Sequence, residues 1–478
     1  MKKIEDNEIN ISPENLIFVN RNLRLSSIKM IGFDMDFTLA IYRYPNFEIL
    51  AMHKTIERLV EKGYPEELFE GGYNDDYVMR GLVVDKPNGN ILKLDKYNFV
   101  HRAMHGRSML SYEERYSNYR NKKLDLSSDD FMWLDTLFSL PELAIIINAV
   151  ENIKTQKRFQ HFKFAELITD IRNSIDEVHQ DYTLKKIVLE NISRYVEYDP
   201  LLPLTLHRLK SNGKKLFLLT NSYWEYTDAV MSFLLNSRMK EYKDWTGYFD
   251  IIIVGAKKPQ FFNSDNIFYV VNPVNSQVKP LQTIIASFIK GQIYQGGNIS
   301  EFERLSSIKG EHILYVGDHI YGDILSSKKR TLWRTCMIIP ELEEEIRVYI
   351  KNIGDIKRLN RMEMKSIMLD REINTMRYNL KNGNSSLRRY LEKKKKRHRN
   401  LIQLIGRKRE EIFNRFNPKW GSLLREENEL SKFGAQIEDY ACVYTSRVSN
   451  FFHISPEQYL VSPPKLLPHE LEIEELLR

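Results

Sequence analysis

Asp34-Met35-Asp36-Phe37-Thr38 follows directly on the apolar run Ile28-Lys29-Met30-Ile31-Gly32-Phe33. Two carboxylates two residues apart at the end of a buried strand repel each other, and the pKa of one rises unless a cation lies between them. Such a pair suits metal-assisted phosphoryl transfer, with one Asp as nucleophile and the other as acid/base. Taken alone, the tripeptide reads by default as a solvated turn at a strand end. Three further segments tip that balance.

Leu218-Leu219-Thr220-Asn221-Ser222 ends a second apolar run in small hydrogen-bonding residues. The Thr220 hydroxyl and the Asn221 N–H would hold phosphoryl oxygens as charge builds in the transition state, although such clusters are also ordinary turns. Lys257-Lys258-Pro259 follows Ile251-Ile252-Ile253-Val254 and offers a cation, Lys258 in preference to Lys257, to neutralise phosphate and nucleophile. Leu314-Tyr315-Val316-Gly317-Asp318-His319-Ile320-Tyr321-Gly322-Asp323 adds two carboxylates, with glycines that let backbone approach a ligand. Asp34 is the expected nucleophile, forming an aspartyl-phosphate. Asp36 would protonate the leaving oxygen and then deprotonate the attacking water. Thr38 would hold Asp36 or cap the following turn. Asp318 would complete an oxygen-rich Mg²⁺ site with the Asp34 carboxylate and the Asp36 main-chain carbonyl, and Asp323 would orient that shell or the lysine.

The elements that must position these groups are visible as short apolar runs ending in polar turns, at 29–33, 215–219, 249–254, 312–316 and 335–339. Helical patterns, as at 226–235 and 322–329, lie between most of them. The alternation predicts an α/β fold with a doubly wound parallel sheet, whose chemistry sits beyond the carboxyl ends of the strands. Each segment above falls at such an end. The stretch from Phe33 to Lys215 far exceeds one crossover helix, so an inserted module is expected there, capping the catalytic edge. It should contain a β-hairpin turning at Asn88-Gly89 and helices over 133–150 and 162–178. Two charged helices, 356–380 and 387–413, broken at 382–386, are expected to pair. The expected organisation is a discontinuous core at 1–45 and 165–350, an α+β cap at 46–164 and a helical extension at 351–478 packing on the core or at a subunit interface.

At 42% hydrophobic and 12% aromatic residues the chain is globular, and no apolar stretch nears the roughly 20 residues that span a bilayer. Met1-Lys2-Lys3-Ile4-Glu5-Asp6-Asn7 lacks the apolar core of a secretory signal, and two cysteines, Cys336 and Cys442, give no disulfide or zinc framework. A cytoplasmic protein without membrane contact is expected. The net charge of +7 suits an anionic substrate and does not call for nucleic acid. The densest basic cluster, Lys393-Lys394-Lys395-Lys396-Arg397-His398-Arg399, falls on helical spacing and is expected to be a solvated helix face, an anionic ligand or partner surface being the alternative.

The four segments, in this order, resemble the haloacid dehalogenase (HAD) superfamily, whose phosphatases carry the second Asp of the first motif and whose caps are inserted between the first two strands. Ile17-Phe18-Val19-Asn20-Arg21, the block 31–40, Asp135-Thr136-Leu137-Phe138-Ser139-Leu140-Pro141-Glu142 and Phe416-Asn417-Pro418-Lys419-Trp420-Gly421-Ser422 further resemble the cytosolic purine 5′-nucleotidase family, with matching blocks from about 17 to 470. That resemblance implies a HAD-like Rossmannoid fold, Mg²⁺ as cofactor and a purine nucleoside monophosphate substrate, IMP and GMP preferred. It also implies a homo-oligomer, tetrameric in the family, and a nucleotide effector near Asp135 and Tyr321. Arg172 would fork onto the purine or neighbouring groups, Asp176 would bind ribose or base, His179 the base and Lys185 the phosphate. Phe138 would stack on the base, and Thr220, Asn221 and Ser222 would complete the substrate set. Helical spacing puts Arg172, Asp176 and His179 near one face; an Arg172–Asp176 ion pair one turn apart is the structural alternative.

The chain departs from the family at Ser139, where Asn is usual, and at Gln180, where Tyr is usual. Both changes touch base recognition and leave the reacting phosphate alone. A nucleoside arriving before water would accept the phosphoryl group, which would make the site a phosphotransferase as well. The enzymatic alternative is a related phosphatase of another phosphomonoester, such as a sugar phosphate. A nucleotide sensor without turnover is opposed by the intact set Asp34, Asp36, Thr220, Lys258 and Asp318.

Overall fold

The computed structural model describes residues 11–120, 124–281, 285–325, 331–381, 388–470 and 473. Six strands carry the core: β1 (Met30–Phe33), β2 (Lys215–Leu219), β3 (Ile251–Val254), β4 (Ile293–Gly296), β5 (Ile313–Gly317) and β6 (Arg334–Ile338). They are parallel and lie in the order β6–β5–β1–β2–β3–β4, which places the DxD strand centrally. All residues of β1 and β3 are buried, as a sheet covered on both faces requires. Register sets Ile31 between Leu216 and Leu314. Gly32 has no room for a side chain, since a Cβ there would stand 2.0 Å from the Phe217 ring.

The sheet reaches ten strands. Val443–Thr445 adds in parallel to β6 and is followed by antiparallel Phe18–Val19; antiparallel Phe268–Val271 and Val278–Pro280 close the other edge. The expected strands form within one or two residues of their predicted bounds, and two parallel strands, β4 and Val443–Thr445, add to them. Over the expected helix at 322–329 the chain makes a π-helical turn, Ile320–Leu325; 326–329, the break at 382–386 and the start at 1–7 lie outside the described residues.

The inserted segment holds a five-stranded antiparallel sheet. Its hairpin pairs Leu82–Asp85 with Asn90–Leu94, and Gly89 takes the left-handed φ of 64° that the turn demands. Trp133 is in a strand, Phe131–Leu134, and not in the helix expected over 133–150. The aromatic run pairs with Leu82–Asp85 and stops at Asp135-Thr136, where the Thr136 hydroxyl caps a 3₁₀ turn. Helix then begins at Leu140, with Pro141 in its first turn. Three helices of this region, α1 (Asn46–Glu61), α2 (Leu140–Thr155) and α3 (Phe164–Gln180), pack on one another. A core boundary at 165 therefore cuts into a helix that packs with the insertion. Helix α4 (Thr183–Glu190) lies on the way back to β2, and α5 (Trp224–Leu235) lies between β2 and β3.

The long helices α6 (Leu342–Lys381) and α7 (Arg388–Phe413) pair through Leu359, Ile405 and Ile412 at one end and Leu369, Ile373 and Leu391 at the other. Lys394 pairs with Glu372 and Lys395 with Glu392, while Lys393, Lys396, Arg397 and Arg399 are exposed on α7. The segment 351–478 is not helical throughout. After Phe413 the chain returns, buries Trp420 and contributes Val443–Thr445 to the main sheet, because that triplet of two β-branched residues and a tyrosine fits beside β6. Among the described residues no helix is long and apolar enough to cross a membrane.

Candidate active site

β1 delivers Asp34 to the carboxyl edge of the sheet, where its N–H donates to the Val316 carbonyl at 2.9 Å. Lys258 meets it there: Nζ lies 2.9 Å from Asp34 Oδ1, 2.7 Å from Asp323 Oδ1 and 2.9 Å from Tyr315 Oη. Lys257 is exposed and Lys258 buried, so geometry selects Lys258. Burial alone would lower the Lys258 pKa, but Asp323 and Asp34 outweigh it and raise it well above the usual lysine range. Burial pushes Asp34 well above the carboxylate range; Lys258 opposes this, and Asp323, Asp318 and Asp36 add to it. The Asn221 side chain clamps the lysine loop, accepting from Lys258 N–H at 2.6 Å and donating to Lys258 O at 3.0 Å. Thr220 is fully buried, and its hydroxyl oxygen accepts from Ser222 N–H at 3.1 Å, which leaves the hydroxyl proton to donate.

Asp36 is held by a separate network. Tyr42 Oη donates to Oδ1 at 2.6 Å and Ser222 Oγ donates to Oδ2 at 2.8 Å. With both oxygens engaged, Asp36 takes nothing from Thr38. Thr38 Oγ1 reaches Asp318 Oδ1 at 3.4 Å instead, which corrects the expectation that it holds Asp36.

Carboxylate oxygens of Asp34, Asp318 and Asp323 lie within 4.8 Å of one another. An all-oxygen donor set of this kind fits a hard divalent cation. Burial, and then Asp323, raise the Asp318 pKa to about 7, a crowding that a cation would relieve. Asp323 uses Oδ1 for Lys258 and accepts His319 N–H on Oδ2 at 3.3 Å, so Asp34 and Asp318 are the less committed donors. Gly317 makes room for this: a Cβ there would meet Asp323 Oδ2 at 2.5 Å. His319 pairs with Asp135 at 3.3 Å; burial lowers its pKa, but that hydrogen bond and charge overcome the loss and bring it to about 9. The inserted segment supplies a residue that sequence reasoning missed. Arg80, buried, donates from Nη1 to the Asp318 carbonyl at 3.1 Å and forks onto Glu341 at 3.0 and 2.7 Å.

Phe138 lies 5.1 Å from the His179 ring and edge-on to Phe37 at 4.8 Å. Burial, then Lys185, lower the His179 pKa to about 4, so the ring is neutral near pH 7. Its Nε2 is buried without a partner among the described residues. Lys185 feels the Asp36 charge and sits 5.3 Å from the Tyr226 ring centroid. Phe138, His179 and Lys185 thus stand on the Asp36 side of the centre. Arg172 donates to Glu142 Oε1 at 2.7 Å, so the expected alternative pair with Asp176 is not formed. Burial lifts the Glu142 pKa to about 7. Asp176 and Gln180 are exposed on α3, and Ser139 is buried.

Residues 17–472 match the model of the 5′ nucleotidase family. The chain belongs to that family. This 5′-nucleotidase, a nucleotide phosphatase, is 29% identical over 482 residues to a 5′-nucleotidase domain-containing protein of Dictyostelium discoideum, covering 96% of this chain and 75% of that one. Among solved structures it is similar to a predicted phosphoglycolate phosphatase of Haemophilus somnus (14% identity, TM-score 0.26, 65% of this chain and 85% of that one). A β-phosphoglucomutase of Pyrococcus is similar at 12% identity and TM-score 0.27, over 66% of this chain and 90% of that one. At such scores the α/β architecture rests on the strand order of the sheet itself.

Proposed function

We propose that this 5′-nucleotidase hydrolyses purine nucleoside 5′-monophosphates, 6-oxopurines preferred, in a Mg²⁺-dependent reaction through a phosphorylated Asp34. The observation that carries the reading is the pairing of Asp34 with Lys258 at the end of the central strand, while Asp36 is held apart by its own hydrogen bonds. Lys258 would neutralise charge as Asp34 attacks phosphorus and the bond to O5′ breaks. Asp36 would give its proton to O5′ and later take one from the water that releases phosphate. Thr220, the Asn221 N–H and Ser222 would hold phosphoryl oxygens, with Lys185 nearby. Asp34 and Asp318, with the Asp36 carbonyl, would hold Mg²⁺, which when bound offsets negative charge at the phosphate; Asp323 and Thr38 would fix that shell. Phe138 would stack on the base and His179 would bind it, with Arg172 reaching the purine or neighbouring groups and Asp176 the ribose or base.

The test is phosphate release with Mg²⁺ from IMP, GMP, AMP, CMP, UMP and several sugar phosphates. Preference for IMP and GMP supports the purine reading despite Ser139 and Gln180; preference for sugar phosphates removes it and leaves the phosphatase. Adding a nucleoside acceptor reads phosphotransfer, adding a second nucleotide reads activation, and light scattering reads the proposed homo-oligomer.

A further inference from the structure

Asp36 has two oxygens with different companions. Ser222 on Oδ2 is a hydroxyl on a short side chain whose proton turns easily between donor and acceptor roles. Tyr42 on Oδ1 has no such freedom. Its phenol is buried at 4% exposure, and its oxygen also meets Tyr226 Oη at 2.8 Å. Since Tyr42 spends its only proton on Asp36, Tyr226 must donate to Tyr42, and Tyr226 is itself 2% exposed. Burial, followed by the Asp36 charge, raises the Tyr42 pKa well above the usual range, so it remains a donor. The result is a directed chain, Tyr226 to Tyr42 to Asp36 Oδ1, anchored at both phenols. Tyr226 comes from α5, and Tyr42 from the turn after β1, bridged to Val196. The chain therefore ties the acid/base turn to two separate parts of the fold.

We propose that Tyr42, supported by Tyr226, is a positioning residue that anchors Asp36 through Oδ1, so that Oδ2 carries the proton delivered to the leaving nucleoside oxygen. This rests on the proposed role of Asp36 as general acid. In the first half-reaction the bond from Asp34 oxygen to phosphorus forms, the P–O5′ bond breaks, and the proton on Oδ2 passes to O5′. In the second, water attacks phosphorus, its proton goes to Oδ2, and the Asp34–phosphorus bond breaks. Throughout, Oδ1 keeps the Tyr42 hydrogen bond, and Ser222 turns to accept from Oδ2 when that oxygen is protonated.

The experiment compares Tyr42→Phe, Tyr226→Phe and Asp36→Asn on two substrates, a nucleoside 5′-monophosphate and p-nitrophenyl phosphate. The nucleoside alkoxide leaves only with a proton, whereas p-nitrophenolate leaves without one, and kcat/KM reports the first half-reaction alone. General-acid catalysis is worth roughly 10²–10⁴-fold. Tyr42→Phe should lower kcat/KM for the nucleotide about 10- to 100-fold and that for p-nitrophenyl phosphate less than about 3-fold, with Tyr226→Phe showing the same pattern more weakly. Adding Tyr42→Phe to Asp36→Asn should cost nothing further. Equal losses on both substrates, no loss, or additive losses with Asp36→Asn overturn the positioning role. If Asp36→Asn itself spares the nucleotide, the acid assignment fails, and the proposal falls with it. Melting temperatures of each variant identify a folding defect, and Tyr42→Phe removes one oxygen from a site whose ring packing stays.

Discussion

Replacing Lys258 by Met isolates the electrostatics of the centre, because the methylene stem keeps its volume while the charge disappears. Lys258 stands between Asp34 and Asp323, whose carboxylate oxygens come within 4.8 Å. Two unit charges at that separation and an effective dielectric near 20 repel by about 3–4 kcal/mol, a ceiling on the cost because burial already favours a proton on Asp34 once the lysine is gone. Removing one member of a buried ion pair typically costs about 3–5 kcal/mol, which agrees. For 478 residues the unfolding entropy is roughly 1 kcal/mol per kelvin, so Lys258→Met should melt about 3–5 °C below wild type in EDTA. Adding Asp323→Asn removes the repulsion and should restore most of that shift. Turnover should not return, because the lysine charge is also needed where the phosphoryl group reacts; its loss is expected to cost about 10²–10³-fold in kcat. Calorimetry with phosphate-release kinetics on the single and double variants reads both effects. A Lys258→Met protein that melts with wild type, or a double variant no more stable than the single, would refute the view that the lysine holds two mutually repelling carboxylates together.

Chelation should abolish phosphate release, and added Mg²⁺ should restore it; hydrolysis that persists in EDTA contradicts the metal assignment. Arg80→Lys keeps the charge but loses the fork onto Glu341 and the reach to Asp318, so the Mg²⁺ concentration for half-maximal activity should rise about 10-fold, as measured by metal titration. Burial raises the Glu48 pKa from 4.5 to about 8, so the folded state keeps a proton that the unfolded chain releases; stability should fall as pH rises through that window, by at most about 4–5 kcal/mol. Glu48→Gln removes the dependence: its melting advantage should be near zero at pH 5 and largest above pH 8, and a constant offset would contradict the assignment.

The parts of the site that were legible in the sequence share one property. Asp34, Thr220, Lys258 and Asp318 each follow an apolar run, and in a parallel sheet the position after a buried strand is also the position at the catalytic edge. Local spacing is enough to place such residues. The parallel sheet followed from the same alternation, whereas its strand order did not, and β4 and Val443–Thr445 were missed because their short runs carry no pattern of their own. Trp133 was assigned to the wrong element because an apolar run beside a helix reads alike in both states until its partner strand is known.

The groups that hold the candidate site side chains were invisible for a different reason: their partners are remote. Tyr226 is 184 residues from Tyr42, Glu341 is 261 from Arg80, and Glu142 meets Arg172 across two helices. Spacing rules reach along one element and say nothing of such pairs. Chemistry alone offers a partial signal. Val78-Met79-Arg80-Gly81-Leu82-Val83 sets a guanidinium inside an apolar run, and a buried charge must have a partner. The position can be flagged, though not what it binds. Tyr42 escapes even that test, since a phenol among Ala40, Ile41 and Tyr42 is unremarkable by hydropathy and needs only one acceptor. The positions proposed for nucleophile, lysine and metal ligands are thus set by where strands end, while the hydrogen bonds that orient Asp36 come from neutral side chains that only the folded chain brings together.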